Sequence, residues 1–129
     1  MLQLEIVTPA GTALSAHVDA VVAPGAQGEL QVLPQHLPLL TILGSGALRY
    51  QDAKGGGEVL VRGGVLEVSA EGRVLVLTDE VQLPGALDKA RAQRLKDETL
   101  KGFEQDYLTD VRLAQLHQDL RFAEAVLAR

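Results

Sequence analysis

The sequence contains no cysteine and no tryptophan, and aromatic residues make up only 3% of its 129 positions. Without cysteine the chain can form no disulfide, no thiolate metal site and no thiol nucleophile. The scarcity of aromatic side chains argues against stacking on bases or sugars as a mode of binding. A net charge of −5 also argues against broad contact with nucleic acid or with an anionic membrane. The core must therefore consist of Val, Leu, Ile and Ala.

Long hydrophobic runs are also missing. No window approaches the roughly 18 consecutive apolar residues that a membrane-spanning helix needs. Residues 1–7 carry no basic segment and alternate with period two, which is typical of a strand and not of a signal peptide. We therefore expect a soluble protein that does not insert into a membrane, although it could dock onto a membrane complex.

The first 84 residues have the pattern of an all-β domain. Turns rich in glycine and proline recur at intervals of roughly 8–12 residues with no helical pattern between them, which indicates a sandwich or a barrel. Pro24-Gly25 is expected to be one of these turns, between two strands. The expected strands lie at residues 2–7, 13–18, 18–22, 29–32, 37–43, 47–51, 58–62, 65–69 and 74–78.

The composition changes at Pro84-Gly85, which we take as a domain boundary. Residues 86–129 contain one glycine and no proline, and apolar residues recur there at spacings of three and four. A thin stripe marks a first helix, and Gly102 to Asp106 is short enough to turn the chain back. The stronger stripe of the second helix consists of Leu113, Leu116, Leu120, Ala123 and Leu127. Residues 85–129 are therefore predicted to form an αα-hairpin.

The charge divides at the same boundary. Residues 1–85 hold four basic and nine acidic side chains, whereas residues 86–129 hold eight of each. Two helices of about four to five turns cannot build a large core alone. The hairpin must therefore pack on the β domain, on itself or on a partner, which makes it a candidate for a moving part.

The stretch at residues 21–40 is a candidate recognition loop. It places three prolines, two glycines, one histidine and one carboxylate between branched apolar residues. Shaped loops on rigid β scaffolds often carry binding residues. His36 either closes the loop through backbone hydrogen bonds or contacts a partner protein. Glu29 is either a solvated turn carboxylate or an interfacial charge.

No motif for catalysis or for a metal site is present. The sequence has no G-x-x-x-x-G-K-[ST] loop, no G-x-G-x-x-G and no G-x-S-x-G. Gly55-Gly56-Gly57 lies between predicted strands and so favours a flexible hairpin over a phosphate cradle. The three histidines are far apart in sequence, with no metal-binding spacing. We therefore expect no catalytic residue and no metal ligand.

The start of the first predicted helix allows two interpretations. Asp88 can stabilise the helix N-terminus and pair with Arg91 one turn later. Alternatively, Arg91 and Arg94 could clamp phosphates while Asp88 accepts a hydrogen bond from the base or ribose of a nucleotide. Spacing alone favours the first.

Five segments together carry a resemblance to a known family. In chain order they are Val22-Ala23-Pro24-Gly25 with Gly28-Glu29-Leu30, then residues 32–40 (VLPQHLPLL), 44–48 (GSGAL), 61–68 (VRGGVLEV) and 74–79 (VLVLTD). Their order and spacing resemble the epsilon subunit of bacterial F-type ATP synthases, over nearly all 129 residues. The resemblance implies a flattened β-sandwich of about ten strands followed by an antiparallel two-helix hairpin.

The resemblance also implies a function. It implies a non-catalytic central-stalk subunit that binds the gamma subunit and the c-subunit ring at the cytoplasmic face of the bacterial membrane and couples proton translocation to ATP synthesis. It further implies that the hairpin can extend toward the alpha and beta subunits and restrain ATP hydrolysis. The alternative is a free-standing ATP-sensing binding module.

Residues for these contacts follow from the same resemblance. Glu29, Gln31, Gln35 and His36 match the region that faces the c ring and gamma, with Gln31 and Gln35 standing where smaller residues are frequent. Leu87-Asp88-x-x-Arg91-Ala92 matches the I/L-D-x-x-R-A motif, which binds regulatory ATP in some members. Arg94, with Arg121 or Arg129 from the second helix, would complete that site. No other cofactor is implied. The second helix lacks the dense Ala/Arg pattern of strongly inhibitory members.

Overall fold

The computed structural model describes residues 1–105 and 107–129, and in them it has ten strands followed by two helices. The strands are β1 Leu2–Thr8, β2 Gly11–Val18, β3 Ala20–Gly25, β4 Gly28–Val32, β5 Leu39–Leu43, β6 Gly46–Gln51, β7 Gly57–Val61, β8 Gly64–Val68, β9 Arg73–Leu77 and β10 Val81–Gln82. A single 3-10 turn at Pro84–Ala86 leads to helices α1 Lys89–Gly102 and α2 Asp110–Leu127.

The strands form one folded-over sheet in the order β10-β7-β6-β3-β5-β8-β9-β1-β2, with β4 paired to β3. Only one residue pair, Gly25 with Leu43, joins β3 to β5. The sheet bends at this point into two layers that enclose the core. The predicted sandwich of about ten strands is confirmed.

Alternation along the strands builds that core. In β1, Leu2, Leu4 and Ile6 are fully buried, because side chains at every second position point to the same face. The neighbouring strand β9 runs parallel to β1 and contributes Val74 and Val76, which are also fully buried. Branched aliphatic side chains thus fill the interior, as the composition requires.

The prediction of a turn at Pro24-Gly25 was wrong. Both residues belong to β3, where Pro24 pairs with Glu29 and Gly25 with Gly28, and the connection to β4 consists of residues 26 and 27. Proline fits here because the missing N–H is not needed, while its carbonyl oxygen accepts a hydrogen bond from Gly44 N at 2.7 Å.

The two helices form the predicted antiparallel hairpin. The carboxylate of Asp88 accepts a hydrogen bond from Arg91 N at 2.9 Å, and the hydroxyl of Thr109 accepts one from Arg112 N at 3.1 Å; both residues are N-caps. Gly102, at the end of α1, lies so close to Leu116 that a Cβ would come within 2.7 Å of its Cδ2. Asp106, the last residue of the predicted turn, lies outside the described residues.

The hairpin packs on the outer side of β6 and β7. Its contact centres on a small apolar cluster of Leu60 from β7 with Ala92, Phe122 and Val126 from the helices. Phe122 is completely buried. Phe122 and Val126 of the hairpin thus share their apolar cluster with Leu60 of the sandwich, and docking completes it.

Candidate functional site

Glu29 lies at the tip of the β3–β4 hairpin, in the segment predicted to recognise a partner. Its Oε2 accepts a hydrogen bond from Arg49 Nη2 at 2.7 Å, and the two side chains remain 61% and 48% exposed. A pair so open to solvent contributes about 0–1 kcal/mol to stability. The carboxylate is therefore available to a partner at little structural cost.

The other predicted contact residues lie further along the chain. Gln31 is exposed on β4, and Gln35 adopts a left-handed backbone with φ 69°. His36 N donates to Leu33 O at 3.1 Å, and His36 Nδ1 donates to Leu37 O at 2.7 Å. The loop-closing role considered for His36 is therefore present.

The structure separates Glu29 from His36. Glu29 is the second residue of β4, whereas His36 lies beyond its last residue, Val32, and the three residue steps from Glu29 to Val32 span roughly 10 Å. The recognition stretch therefore presents two patches at opposite ends of β4.

A third surface was not predicted from the sequence. Ile42, Val65, Leu77 and Val7 lie directly opposite one another across β5, β8, β9 and β1. They point away from the core because each alternates with a buried residue of its strand. Ile42 is 66% and Leu77 47% exposed. We call these four side chains the outer apolar row.

A flanking row borders the outer apolar row on the same face. It contains Leu40, which is 68% exposed, followed across the strands by Glu67, Leu75 and Glu5. Contiguous apolar patches with polar borders on a protein surface mark interaction sites. The sequence held a signal for this apolar surface. Strands β5 (LLTIL) and β9 (RVLVL) are almost continuously apolar, which is the pattern of strands covered on both faces.

Four charged side chains of alternating sign join the hairpin to the sandwich. Arg91 of α1 donates from Nε to Glu80 Oε2 at 2.9 Å and from Nη2 to Glu80 Oε1 at 2.7 Å. Arg62 donates from Nη1 to Glu80 Oε1 at 3.3 Å and from Nε to Asp119 Oδ1 of α2 at 2.8 Å. We call the set Arg91–Glu80–Arg62–Asp119 the clasp.

The environment of the clasp favours the charged forms of Glu80 and Arg62. The hydrogen bond from Arg91 lowers the pKa of Glu80 even though partial burial opposes this shift, and Gln82 adds a further hydrogen bond. Burial acts to lower the pKa of Arg62, but hydrogen bonds and charges from Asp119 and Glu80 outweigh it, so this pKa is raised. Glu80 is consequently ionised at neutral pH.

The residues predicted to hold a nucleotide do not all converge. Asp88 and Arg91 lie together, but Asp88 caps α1 and Arg91 is engaged by Glu80. Arg129 pairs with Glu58 at 3.0 Å, at the opposite end of β7 from Arg62 and so roughly 13 Å along the strand. Arg94 and Arg121 are exposed on α1 and α2.

Neither helix in the described part of the chain is long and apolar enough to cross a membrane.

Comparison with known proteins relates the whole chain to one family. The family model described as "ATP synthase, Delta/Epsilon chain, beta-sandwich domain" matches residues 1–84. An ATP synthase epsilon chain of Nitratidesulfovibrio vulgaris is 39% identical over 127 residues, which is 98% of this chain and 87% of the relative. An ATP synthase epsilon chain of Dehalococcoides mccartyi is 37% identical over 122 residues, covering 95% and 86%.

A solved structure shares the fold. A chain of the mitochondrial ATP synthase of Euglena gracilis, in an assembly with its c ring, aligns with a TM-score of 0.73 at 20% identity, covering 98% of this chain and 79% of that one.

Proposed function

The chain belongs to the epsilon-chain family of ATP synthases, and on that premise we propose that it is a non-catalytic rotor subunit of the central stalk. It links the gamma subunit to the ring of c subunits at the cytoplasmic face of the bacterial membrane, and it couples proton translocation to ATP synthesis. The observation that carries this proposal is the outer apolar row, which stands on four paired strands of one sheet.

The outer apolar row is the surface we assign to gamma. Ile42 and Leu77, with neighbouring Leu40, are between 47% and 68% exposed. Because each side chain is already partly covered, burying its remaining exposed surface would contribute roughly 1–2 kcal/mol. Because Ile42, Leu77 and Leu40 all stand on paired strands of one sheet, their backbone is already ordered. Binding a partner would therefore cost little conformational entropy.

Replacing Ile42 with glutamate should weaken binding of gamma by about 30-fold or more. The substitution puts a charge in the middle of a contact that must lose its water, and central interface residues cost about 2 kcal/mol or more when altered. Biolayer interferometry with purified gamma measures the change. Leu100→Glu is the control, because Leu100 is 44% exposed but belongs to α1. Equal affinities for the two variants would exclude this face as the gamma contact.

We assign the β3–β4 tip with Glu29 to the c ring. Glu29 stands in β4 next to a two-residue connection, so its position is well defined, and its exposed pair with Arg49 can give way to a partner at little cost. Gln31, Gln35 and His36 extend the proposed stalk contact along β4 and into the loop that follows.

Reversing the charge at Glu29 should uncouple the enzyme without unfolding the subunit. For Glu29→Lys we expect a loss of unfolding free energy below about 1 kcal/mol, because the pair with Arg49 is solvent-exposed. ATP-driven proton pumping in reconstituted vesicles should fall severalfold. Glu71→Lys, at an exposed turn between β8 and β9, makes the same charge change elsewhere. Normal pumping by the Glu29 variant would refute the assignment of this tip.

The hairpin is the regulatory part in this proposal. In its docked position it lies on the sandwich, and by extending toward the alpha and beta subunits it would restrain ATP hydrolysis. Regulatory ATP binding at Asp88 and Arg91, completed by Arg94, Arg121 or Arg129, stays a prediction, as does the alternative of a free-standing ATP-sensing module. A phosphate group that binds the Nε–Nη2 edge of Arg91 must first displace the Glu80 carboxylate, which already accepts from both nitrogens.

A further inference from the structure

The clasp contacts both helices through two side chains of the sandwich. Arg91 of α1 reaches Glu80, Glu80 touches Arg62, and Arg62 reaches Asp119 of α2. We propose that the clasp couples the docking of the two helices, so that a change at α1 loosens α2 and the hairpin leaves the sandwich as one unit. This goes beyond the rotor role and concerns the chain by itself.

The coupling arises because Glu80 and Arg62 each serve two partners. Two hydrogen bonds from Arg91 and one from Gln82 satisfy most of the Glu80 carboxylate, so that Arg62 meets it only at 3.3 Å. Arg62 is then free to hold Asp119 at 2.8 Å from both Nε and Nη2. If Arg91 is removed, Glu80 competes with Asp119 for Arg62, and the contact to α2 weakens.

Burial makes this competition effective. The side chains of Glu80, Asp119 and Arg62 are 16%, 19% and 21% exposed, so water and salt screen their interactions less than those of surface pairs. Arg91 is 52% exposed and therefore reachable from solvent. An anion that captured Arg91 would act on α2 through the partly buried Glu80 and Arg62 without touching that helix.

The order of signs also fixes how the hairpin docks. Helix α1 brings a positive charge to Glu80, and α2 brings a negative charge to Arg62. Exchanging the two helices would place like charges in contact, which disfavours that arrangement. The apolar cluster of Leu60, Ala92, Phe122 and Val126 has no such directional preference.

A double-mutant cycle on the full chain tests the coupling. The variants are Arg91→Ala, Asp119→Asn and their combination, and hydrogen exchange of α1 and α2 amides reports the opening of each helix. Arg91 and Asp119 have no direct contact in the clasp, so independent docking would make their effects multiply. In the coupled case the increase in helix opening of the double variant should be smaller than the product of the two single-variant increases. We expect it to be smaller by a factor of at least about three, which lies in the lower range found for coupled networks.

A second cycle separates the clasp from ordinary packing between the helices. It pairs Asp119→Asn with Leu95→Ala, which weakens α1 at the apolar cluster without touching the clasp, and there the effects should multiply. The proposal is overturned if the effects of Arg91→Ala and Asp119→Asn on helix opening multiply to within twofold. It is also overturned if both cycles depart from the product of their single effects by the same factor. Unchanged hydrogen exchange of the β1 and β9 amides verifies that the sandwich stays folded in each variant. Should Arg91→Ala disturb it, Arg91→Lys replaces it, keeping the charge but losing the fork.

Discussion

Replacing Phe122 with alanine should detach the hairpin from the sandwich. Phe122 is the largest side chain of the cluster that joins the two parts and is completely buried. Loss of a buried phenylalanine costs about 3–5 kcal/mol, and the rest of this cluster is small. Hydrogen exchange should show α1 and α2 opening a hundredfold or more faster, while amides of the core strands keep their protection.

Phe103→Ala is the matched control for this experiment, because it removes the same side chain from the other phenylalanine position. Phe103 follows α1 and packs against His117, with ring centroids 5.1 Å apart, so it belongs to the far end of the hairpin. We expect it to loosen the connection between the helices with little effect on docking. Similar acceleration in both variants would mean that Phe122 does not anchor the hairpin.

Replacing Gly64 with alanine should destabilise the sandwich by at least about 3 kcal/mol. Gly64 begins β8 with φ +116°, a conformation in which other residues are strained by about 1–3 kcal/mol. A Cβ would also overlap the carbonyl oxygen of Leu77 and come within 2.9 Å of Thr78 Cα. The strand β9 would have to move away, which breaks the β8–β9 ladder. Urea unfolding followed by far-UV circular dichroism gives the change in unfolding free energy.

Gly11→Ala controls for backbone strain alone. Gly11 has φ +123° at the start of β2, but a Cβ there would meet no atom within 4 Å. The difference between the two alanine variants therefore measures the cost of the overlap. If both variants lose the same free energy, the close approach of β8 and β9 contributes nothing.

The fold was largely predictable because its elements are encoded locally. Period-two alternation in β1 and a three-four spacing in α2 gave the correct structure for both. Pro24 misled the prediction of a turn because the rule that proline interrupts strands holds only where an N–H is required. The short strand β10 was missed, since two residues, Val81 and Gln82, carry no periodicity.

The site residues were less predictable because they depend on distant pairings. The capping role of Asp88 follows from its position before a helix, and it was predicted. The partner of Arg91 could not be predicted. Glu80 lies on the other side of the assumed boundary at Pro84, and the two side chains meet only when the hairpin is docked. The outer apolar row likewise assembles from four strands whose order in the sheet differs from their order in the chain.

The parallel pairing of β1 with β9 has a consequence for biosynthesis. Gln3 pairs with Arg73, so β1 cannot pair with β9 until the ribosome has added about 70 more residues. At roughly 5–20 residues per second this takes several seconds. Until then β1 has only β2 beside it, and an isolated two-stranded ribbon is marginally stable. Leu2, Leu4 and Ile6, which the finished core buries completely, therefore lack most of their covering until β9 has been synthesised. The hairpin emerges after β10, and it meets a sandwich whose final strands have only just been synthesised.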